Sequence, residues 1–216
     1  PRSTLFPYTT LFRSPMPVVS GGDDGGGDDG GGDVSATAVV INGATEASNS
    51  YSSYYVAFNN AGQGMAIWTS NSGYKNHVVY ALYDPSTGVW SEPREFIGSA
   101  DNFLVVSNGT GFMIVYSSNA KIYARQWSGG SFGAVVNISG DGTGCYNPIM
   151  ASNGSGYCAV WYQYDTDRHQ MYAAVYGGAS WGEPDQLDNT SNTPGAYRIA
   201  TNGSGYCVTW REDGTP

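Results

Sequence analysis

The sequence contains few of the residues that several common protein classes require. Only two of its 216 residues are lysine, Lys75 and Lys121, and the formal net charge is -9. Binding to nucleic acid or to an anionic membrane surface needs clustered Lys and Arg, so the composition excludes both as partners. The sequence also lacks a run of eighteen apolar residues, so it predicts no membrane-spanning segment.

Cysteine and catalytic motifs are scarce as well. The three cysteines form no metal-ligand spacing: Cys158 and Cys207 share one position of a repeat and are predicted to be buried, whereas Cys145 is predicted to lie in a loop. The sequence has no Gly-x-Ser-x-Gly elbow, no His-Glu-x-x-His motif and no phosphate loop. It therefore predicts no catalytic residue, no metal site and no cofactor, and it favours a protein that is not an enzyme.

What the sequence does contain is a unit that recurs four times. The segments SNGTGFMIVY, SNGSGYCAVW and TNGSGYCVTW align with the looser NNAGQGMAIW, and they end at Trp68, Tyr116, Trp161 and Trp210. The steps between these aromatic residues are 48, 45 and 49 positions. Periods of this size, with four strand-like segments in each, are typical of β-propellers.

Each unit predicts a blade of four antiparallel strands. In the third unit, residues 148–152, 157–161, 171–176 and 181–187 have the period of two that indicates strands, and Asn-Gly and Gly-Gly turns separate them. The recurring aromatic residues are expected to pack between blades, with ligand stacking as the alternative. The predicted fold is all-β, an incomplete β-propeller over 34–216 with about three and a half blades. Its blades are placed at 54–98, 102–139, 148–188 and 196–216, the last one truncated.

Two segments precede the repeats. Residues 4–14, TLFPYTTLFRS, resemble the conceptual translation of a sequencing adapter, so residues 1–14 are excluded from the fold. Residues 15–33 contain GGDDGGGDDGGGD, which has no side chain able to form a core and predicts a disordered Gly/Asp tether. Calcium binding is the alternative, but nonapeptide calcium repeats need a recurring large apolar residue. Such tethers resemble those of bacterial surface lipoproteins, which implies an extracellular or cell-surface location and a lipid anchor.

The loops of a propeller divide between two opposite ends of its blades. The turns at one end are near-identical from unit to unit, whereas the loops at the other end, between second and third strands and between blades, vary in sequence. Specificity in repeat scaffolds usually lies on such variable loops, so this loop end is the predicted binding face. The candidate ligand-binding residues on it are Lys75, His77, Asp165, Asp167, Arg168 and His169.

The densest charged cluster on this face is Asp165, Asp167, Arg168 and His169. Its carboxylates suit a cation or the hydroxyls of a sugar, and its Arg and His suit an anionic group. The alternative is a solvated loop in which the Asp residues favour turns. The equivalent loop positions of His77 and His169 raise the further hypothesis that the two imidazoles approach each other around a central opening.

The repeats also resemble a known family. The pattern NGSGYxVxW, followed by MYAAVY and GGASWGEP, resembles bacterial secreted β-propeller repeats that are loosely sialidase-like, and the resemblance covers residues 54–210. It implies a ring of about six to eight blades at the cell surface. Sialidases carry the box Ser-x-Asp-x-Gly-x-x-Trp, and the nearest segment here, SGDGTGCY from Ser139, lacks the Trp. No set of three arginines forms a carboxylate clamp, so the resemblance supports the fold more than the chemistry.

Three functions remain open. The favoured one is a non-catalytic recognition propeller of a surface or secreted protein, whose partner is a glycan or a surface protein. The second is a fragment of a sialidase-like glycosidase whose catalytic residues lie in other blades. The third is a structural spacer or adhesin repeat without a small-molecule ligand. Variable loops and a long tether suit reach and recognition, which favours the first.

Overall fold

A computed structural model of the chain describes residues 54–71, 76–165, 168–188 and 193–213. Every regular element in these residues is a β-strand, which confirms the all-β prediction. The adapter-like segment and the Gly/Asp tether lie outside the described residues. No helix in the described part of the chain is long and apolar enough to cross a membrane.

The strands group into three complete blades and part of a fourth. Blade 1 contains β1 (Tyr54–Phe58), β2 (Gly64–Asn71), β3 (Asn76–Asp84), β4 (Val89–Trp90) and β5 (Arg94–Ile97). Blade 2 contains β6 (Asn102–Ser107), β7 (Phe112–Ser118), β8 (Lys121–Ser128) and β9 (Ser131–Asn137). Blade 3 contains β10 (Cys145–Ser152), β11 (Tyr157–Asp165), β12 (Arg168–Tyr176) and β13 (Asp185–Gln186). Blade 4 contains β14 (Thr193–Thr201) and β15 (Tyr206–Asp213).

Within each blade, every strand pairs antiparallel with the next strand in the sequence, except that β4 and β5 of blade 1 both pair with β3. The first strands of successive blades, β1, β6, β10 and β14, lie side by side, and the blades pack face to face through three apolar clusters. This arrangement is that of a propeller with first strands innermost. The predicted partial β-propeller is therefore confirmed, although β10 and β14 begin earlier than predicted, at Cys145 and Thr193.

Asparagine side chains build the near-identical turns between first and second strands. In blade 3, Oδ1 of Asn153 accepts hydrogen bonds from the backbone N–H of Ser155 (3.1 Å) and of Gly156 (2.8 Å). Asn108 and Asn202 make the same pair of bonds in blades 2 and 4. A Cβ at Gly156 would collide with the carbonyl oxygen of Tyr176, which explains why the turn ends in glycine.

Proline interrupts the fourth strands of two blades. In blade 1 the pairing with β3 breaks between β4 and β5, where Glu92 and Pro93 lie, and in blade 3 Glu183 and Pro184 separate Trp181 from β13. Proline has no N–H to donate to the ladder. Blade 2 has no proline there, and its β9 is continuous. The single fourth strand predicted over residues 181–187 is therefore wrong.

The junction between blades 2 and 3 packs large aromatic rings against smaller apolar side chains. We call the side of a blade that faces the preceding blade its leading face, and the opposite side its trailing face. Trp161, on the leading face of blade 3, is fully buried against Met113, Val115 and Ile122 of the trailing face of blade 2. Its ring stacks on Tyr172 of the neighbouring strand, with centroids 6.4 Å apart. The prediction that the repeated aromatic packs between blades is confirmed here.

Blade 1 has an aromatic ring at the turn end of its leading face, but this ring comes from its first strand and not from its second strand as in the other blades. Blades 2, 3 and 4 begin their second strands with Phe112, Tyr157 and Tyr206, whereas β2 of blade 1 begins with Gly64. Gly64 pairs with Phe58, and a Cβ at Gly64 would lie 2.8 Å from the Phe58 ring. The ring of Phe58 therefore occupies the space that an aromatic side chain on β2 would fill.

Two cysteine predictions are wrong. Cys145 begins strand β10 and is buried, instead of lying in a loop. Cys158 is buried as predicted, and burial raises the pKa of its thiol to about 11. Cys207 is exposed because it lies on the trailing face of blade 4, where no described residue covers it.

Candidate functional site

The variable loops at the loop end are shorter than the sequence suggests, because strands extend into them. Strands β11 and β12 reach Asp165 and Arg168, so most of the predicted loop 162–170 is a hairpin. Between β7 and β8 only Asn119 and Ala120 form the turn, with φ values of 50° and 58°. Two successive positive φ values are typical of a type I′ hairpin turn. The described part of the loop end therefore includes two strand hairpins, β7–β8 and β11–β12.

The structure gives the six predicted binding residues different surroundings. Lys75 and Asp167 lie outside the described residues, and only the backbone of Asp165 is described. His77 Nδ1 lies 3.2 Å from Oε1 of Glu95, within blade 1. Arg168 and His169 begin β12 in blade 3. The structure shows no contact between the two imidazoles: His77 pairs with Glu95 in blade 1, and His169 pairs with Tyr146 in blade 3.

Arg168 holds a buried carboxylate. Its Nη1 lies 3.0 Å from Oδ2 of Asp188, whose side chain is 1% exposed. The other oxygen, Oδ1, accepts a hydrogen bond from the backbone N–H of Met171 at 2.7 Å. A buried carboxylate needs such partners, because an unpaired charge is costly away from water. The ion pair thus joins Asp188, at the end of blade 3, to Arg168, at the start of β12.

His169 lies among tyrosines. Its Nδ1 is 2.6 Å from the hydroxyl of Tyr146, and its ring packs edge-on against Tyr146 and Tyr164, with centroids 5.4 and 5.2 Å apart. Tyr162 and Tyr197 continue the group, with their rings in edge contact at 4.5 Å. Burial, followed by the neighbouring tyrosines, raises the pKa of Tyr146 and of Tyr197. We call Tyr146, Tyr162, Tyr164, His169 and Tyr197 the tyrosine cluster.

Two hydroxyls of this cluster cross between blades 3 and 4 in opposite directions. Tyr162 of β11 donates to the carbonyl oxygen of Gly195, and Tyr197 of β14 donates to that of Asn147. Both carbonyls lie where the first strand shifts register against the second, between Tyr146 and Ile149 in blade 3 and between Pro194 and Tyr197 in blade 4. A bulge leaves backbone groups without ladder partners, and the tyrosines satisfy them.

A cleft of about 450 Å³ lies beside the cluster, where the first strands of all four blades meet at the loop end. Ligand sites for small molecules have volumes of about 300 to 1,000 Å³ and combine apolar walls with a few polar groups. The described lining of the cleft has this composition: aromatic rings, two side-chain amides and one guanidinium. Its principal side chains are Tyr55, Asn102, Phe103, Asn147, Tyr162, Tyr197 and Arg198.

No family model matches the sequence, and no curated protein matches it. Among solved structures it is similar to the alpha-L-arabinanase of Penicillium chrysogenum, at 11% identity and a TM-score of 0.48, covering 74% of this chain and 56% of that one. A neuraminidase-like protein of A/little yellow-shouldered bat/Guatemala matches at 7% identity and a TM-score of 0.47, covering 68% of this chain and 47% of that one. TolB from Acinetobacter baumannii matches at 11% identity and a TM-score of 0.42, covering 73% of this chain and 40% of that one. The chain thus spans about half the length of the solved structures it matches.

The described lining of the cleft includes no carboxylate, and the described residues hold no group of three His, Cys, Asp or Glu placed to bind a metal ion. Glycoside hydrolysis uses two carboxyl groups on either side of one bond. The described lining of the cleft therefore offers aromatic surfaces, amide groups and a cation for binding.

A larger groove of about 610 Å³ lies between blades 1 and 2 at the opposite, turn end. Tyr83, Trp90 and Trp127 line it together with the glycines of the β8–β9 turn. The turns at this end repeat nearly unchanged from blade to blade, whereas the cleft is built by bulges that occur in blades 3 and 4 and not in the first strands of blades 1 and 2. We therefore take the cleft as the candidate site.

The sequence analysis did not identify Tyr146, Tyr162 or Tyr197 as candidate site residues. The repeat pattern does not distinguish them from the many other aromatic residues of the chain. One signal was available: Pro148 and Pro194 stand near the start of first strands, where a residue without an N–H favours a bulge. Of the predicted residues whose side chains the structure describes, His77, Arg168 and His169 do not line the cleft, although His169 packs against Tyr162, which does. Their role in binding stays a prediction.

Proposed function

We propose that this propeller is a non-catalytic recognition domain that binds carbohydrate in the cleft at its loop end. The supporting observation is the described lining of the cleft, in which aromatic rings stand beside amide and guanidinium groups. Aromatic faces pack on the apolar faces of sugar rings, and amide and guanidinium groups hydrogen-bond with sugar hydroxyls. The tyrosine cluster supports one wall of this site through Tyr162 and Tyr197.

Under this proposal Arg168 and His169 contribute to binding from the edge of the site, and the roles of Lys75, His77, Asp165 and Asp167 stay predictions. His169 is half-buried within the tyrosine cluster, and Arg168 is fastened to Asp188, so both side chains are held in place before any ligand arrives. Binding groups held in this way lose little conformational freedom on binding. From the Gly/Asp-rich segment we further propose that the protein works outside the cell or at its surface.

A glycan array probed with the full chain tests the proposal, followed by affinity measurements on the sugars that bind. Tyr55 is 46% exposed and lines the cleft. We expect Tyr55→Ala to weaken binding about fivefold, because an aromatic contact is worth roughly 1 kcal/mol. Tyr54→Ala is the matched control, since Tyr54 is 79% exposed and does not line the cleft.

Equal loss in both variants, or no loss in either, would place the binding site elsewhere. Release of product from a bound oligosaccharide would instead favour the glycosidase hypothesis, since binding alone leaves the sugar intact. A chain that binds no glycan and no surface protein would support the structural spacer.

A further inference from the structure

A second concave site lies between blades 1 and 2 at the turn end, opposite the end that holds the cleft. This groove has a volume of about 610 Å³, whereas the equivalent groove between blades 2 and 3 has a volume of about 310 Å³. Its described lining belongs entirely to blades 1 and 2, so the groove lies at an internal junction of the described chain. The same repeat therefore produces a narrow groove at one junction and one of about twice the volume at the next.

The difference in volume comes from two facing positions of the repeat. Between blades 2 and 3, the hydroxyl of Tyr176 donates a hydrogen bond to Oε1 of Gln126 at 3.1 Å, which ties the two walls of the smaller groove together. By register, Trp127 and Leu82 take these two places between blades 1 and 2, since each pairs with the equivalent residue of its second strand. A leucine side chain has no polar atom, so this bond cannot form and the larger groove stays open.

The larger groove also contains a carboxylate. Asp84 follows Leu82 by two positions on β3, so both side chains lie on the trailing face of blade 1, toward blade 2. The hydroxyl and the backbone N–H of Ser86 donate to Oδ1 of Asp84 at 2.7 and 2.9 Å, and these bonds lower the pKa of the carboxyl group. None of the described Lys, Arg or His side chains forms an ion pair with Asp84. Ser128 has the equivalent position in blade 2, so the smaller groove has no carboxylate there.

Apolar and aromatic side chains form the walls around this carboxylate. Val89, which pairs with Asp84, is 60% exposed, and Trp127 faces it from blade 2. A Cβ at either glycine of the turn 129–130 would meet nothing within 4 Å, so this turn leaves the groove accessible. Of the aromatic side chains, tryptophan attracts cations most strongly through its ring. A carboxylate beside an indole and aliphatic side chains suits a ligand that joins a positive charge to a short apolar body.

We propose that this groove is a second binding site, which takes an organic cation with a primary ammonium group on a short alkyl chain. The ammonium group pairs with Asp84, and the alkyl chain packs among Leu82, Val89 and Trp127. Free amines and lysine side chains share this chemistry. Cation binding in the groove does not depend on glycan binding in the cleft, since the described linings of the two share no residue.

Three probes of equal chain length and different charge test the proposal: hexylammonium, 1-hexanol and hexanoate. Each is titrated into the isotope-labelled full chain, and binding is followed by NMR through the indole N–H signal of Trp127. We expect hexylammonium to bind at least about fivefold more tightly than hexanol, because an ion pair near the surface adds up to about that factor. Hexanoate should bind more weakly than either, because its charge is repelled by Asp84.

Two variants separate the charge from the apolar wall. Asp84→Asn keeps an oxygen for Ser86 and removes the charge, so it should weaken hexylammonium binding about fivefold and change hexanol binding little. Asp101→Asn is its matched control, because Asp101 is exposed and does not line the groove. Val89→Ser should weaken the binding of both hexylammonium and hexanol about threefold, because it removes apolar contact area. Val135→Ser is its control, since Val135 is 49% exposed and lies outside the groove lining.

Hexanol that binds as tightly as hexylammonium would overturn the proposal. So would equal losses in Asp84→Asn and Asp101→Asn, or hexylammonium binding that leaves the Trp127 indole signal unmoved. A further probe, Nα-acetyl-lysine methylamide, distinguishes the two sources of the ammonium group. Tighter binding than that of hexylammonium would assign the groove to a lysine side chain of a partner protein, and weaker binding would assign it to a free amine.

Discussion

The two junctions on either side of blade 3 come from the same repeat, yet they are built differently. The junction with blade 2 is closed and apolar: Trp161 and Tyr157 are fully buried, and β6 pairs with β7 without a shift of register. The junction with blade 4 contains two shifts of register, two tyrosine hydroxyls that bond across it and a cleft at its loop end.

The difference shows how a repeat acquires a site. The turn end, with its Asn-Gly turns and aromatic rings, is nearly the same in blades 2, 3 and 4, so the blades stack in the same way there. At the loop end a bulge in a first strand frees backbone carbonyls, and tyrosines from the facing blade reach them. Rigid packing at one end thus supports a polar, open arrangement at the other.

The largest expected effect comes from removing the ring that closes the first of these junctions. Trp161→Ala should lower the free energy of unfolding by about 3 to 5 kcal/mol, because it leaves a cavity between blades 2 and 3. Trp210→Ala is the matched control at the same repeat position, in a side chain that is only half-buried. We expect it to cost about half as much, since the loss grows with the apolar area buried. Chemical denaturation of the two variants measures both values, and equal losses would contradict the contrast between the junctions.

A smaller effect is expected at the carboxylate that anchors the end of blade 3. Asp188→Ala should cost about 3 kcal/mol, because it leaves the half-buried Arg168 without its carboxylate and the Met171 N–H without an acceptor. Asp188→Asn, which keeps an oxygen for Met171, should cost less. Asp185→Asn changes an exposed carboxyl three residues before Asp188 and should stay within about 0.5 kcal/mol of the original chain. If Asp188→Asn costs as much as Asp188→Ala, the charge pair and not the backbone bond stabilises this end.

Much of the fold can be predicted from the sequence because interactions between nearby residues determine the turns and strands of each repeat. Asn-Gly turns and alternating apolar residues depend on neighbours within a few positions, and the period of the aromatic residues reports which side chains face the next blade. The burial of Trp161 could therefore be predicted. The exposure of Cys207 could not, because its position in the repeat says which way it faces but not what covers it.

The candidate site depends on contacts between residues of different blades, which the repeat pattern does not predict. The reciprocal bonds of Tyr162 and Tyr197 join residues far apart in the sequence, and they exist because two first strands slip in register. Likewise Phe58 replaces an aromatic on the adjacent strand, which an alignment of units presents as a missing residue. Charge alone drew attention to Arg168 and His169, whereas the structure shows Arg168 bound to Asp188 and His169 packed among tyrosines.

The smallest expected effect isolates the hydroxyls that cross the second junction. Tyr162→Phe and Tyr197→Phe keep the rings and remove the donors, so each should cost about 1 to 2 kcal/mol by leaving a bulge carbonyl without a partner. Tyr157→Phe is the control at the closed junction, because the buried Tyr157 hydroxyl lies near the backbone of Asn108 without a well-aligned hydrogen bond among the described residues, and its loss should change stability by less than about 0.5 kcal/mol. Because the rings of Tyr162 and Tyr197 touch at 4.5 Å, the double variant should depart from additivity. Equal effects in Tyr157→Phe and Tyr162→Phe would mean that the hydroxyls do not distinguish the two junctions, and the bulges alone would then have to account for the cleft.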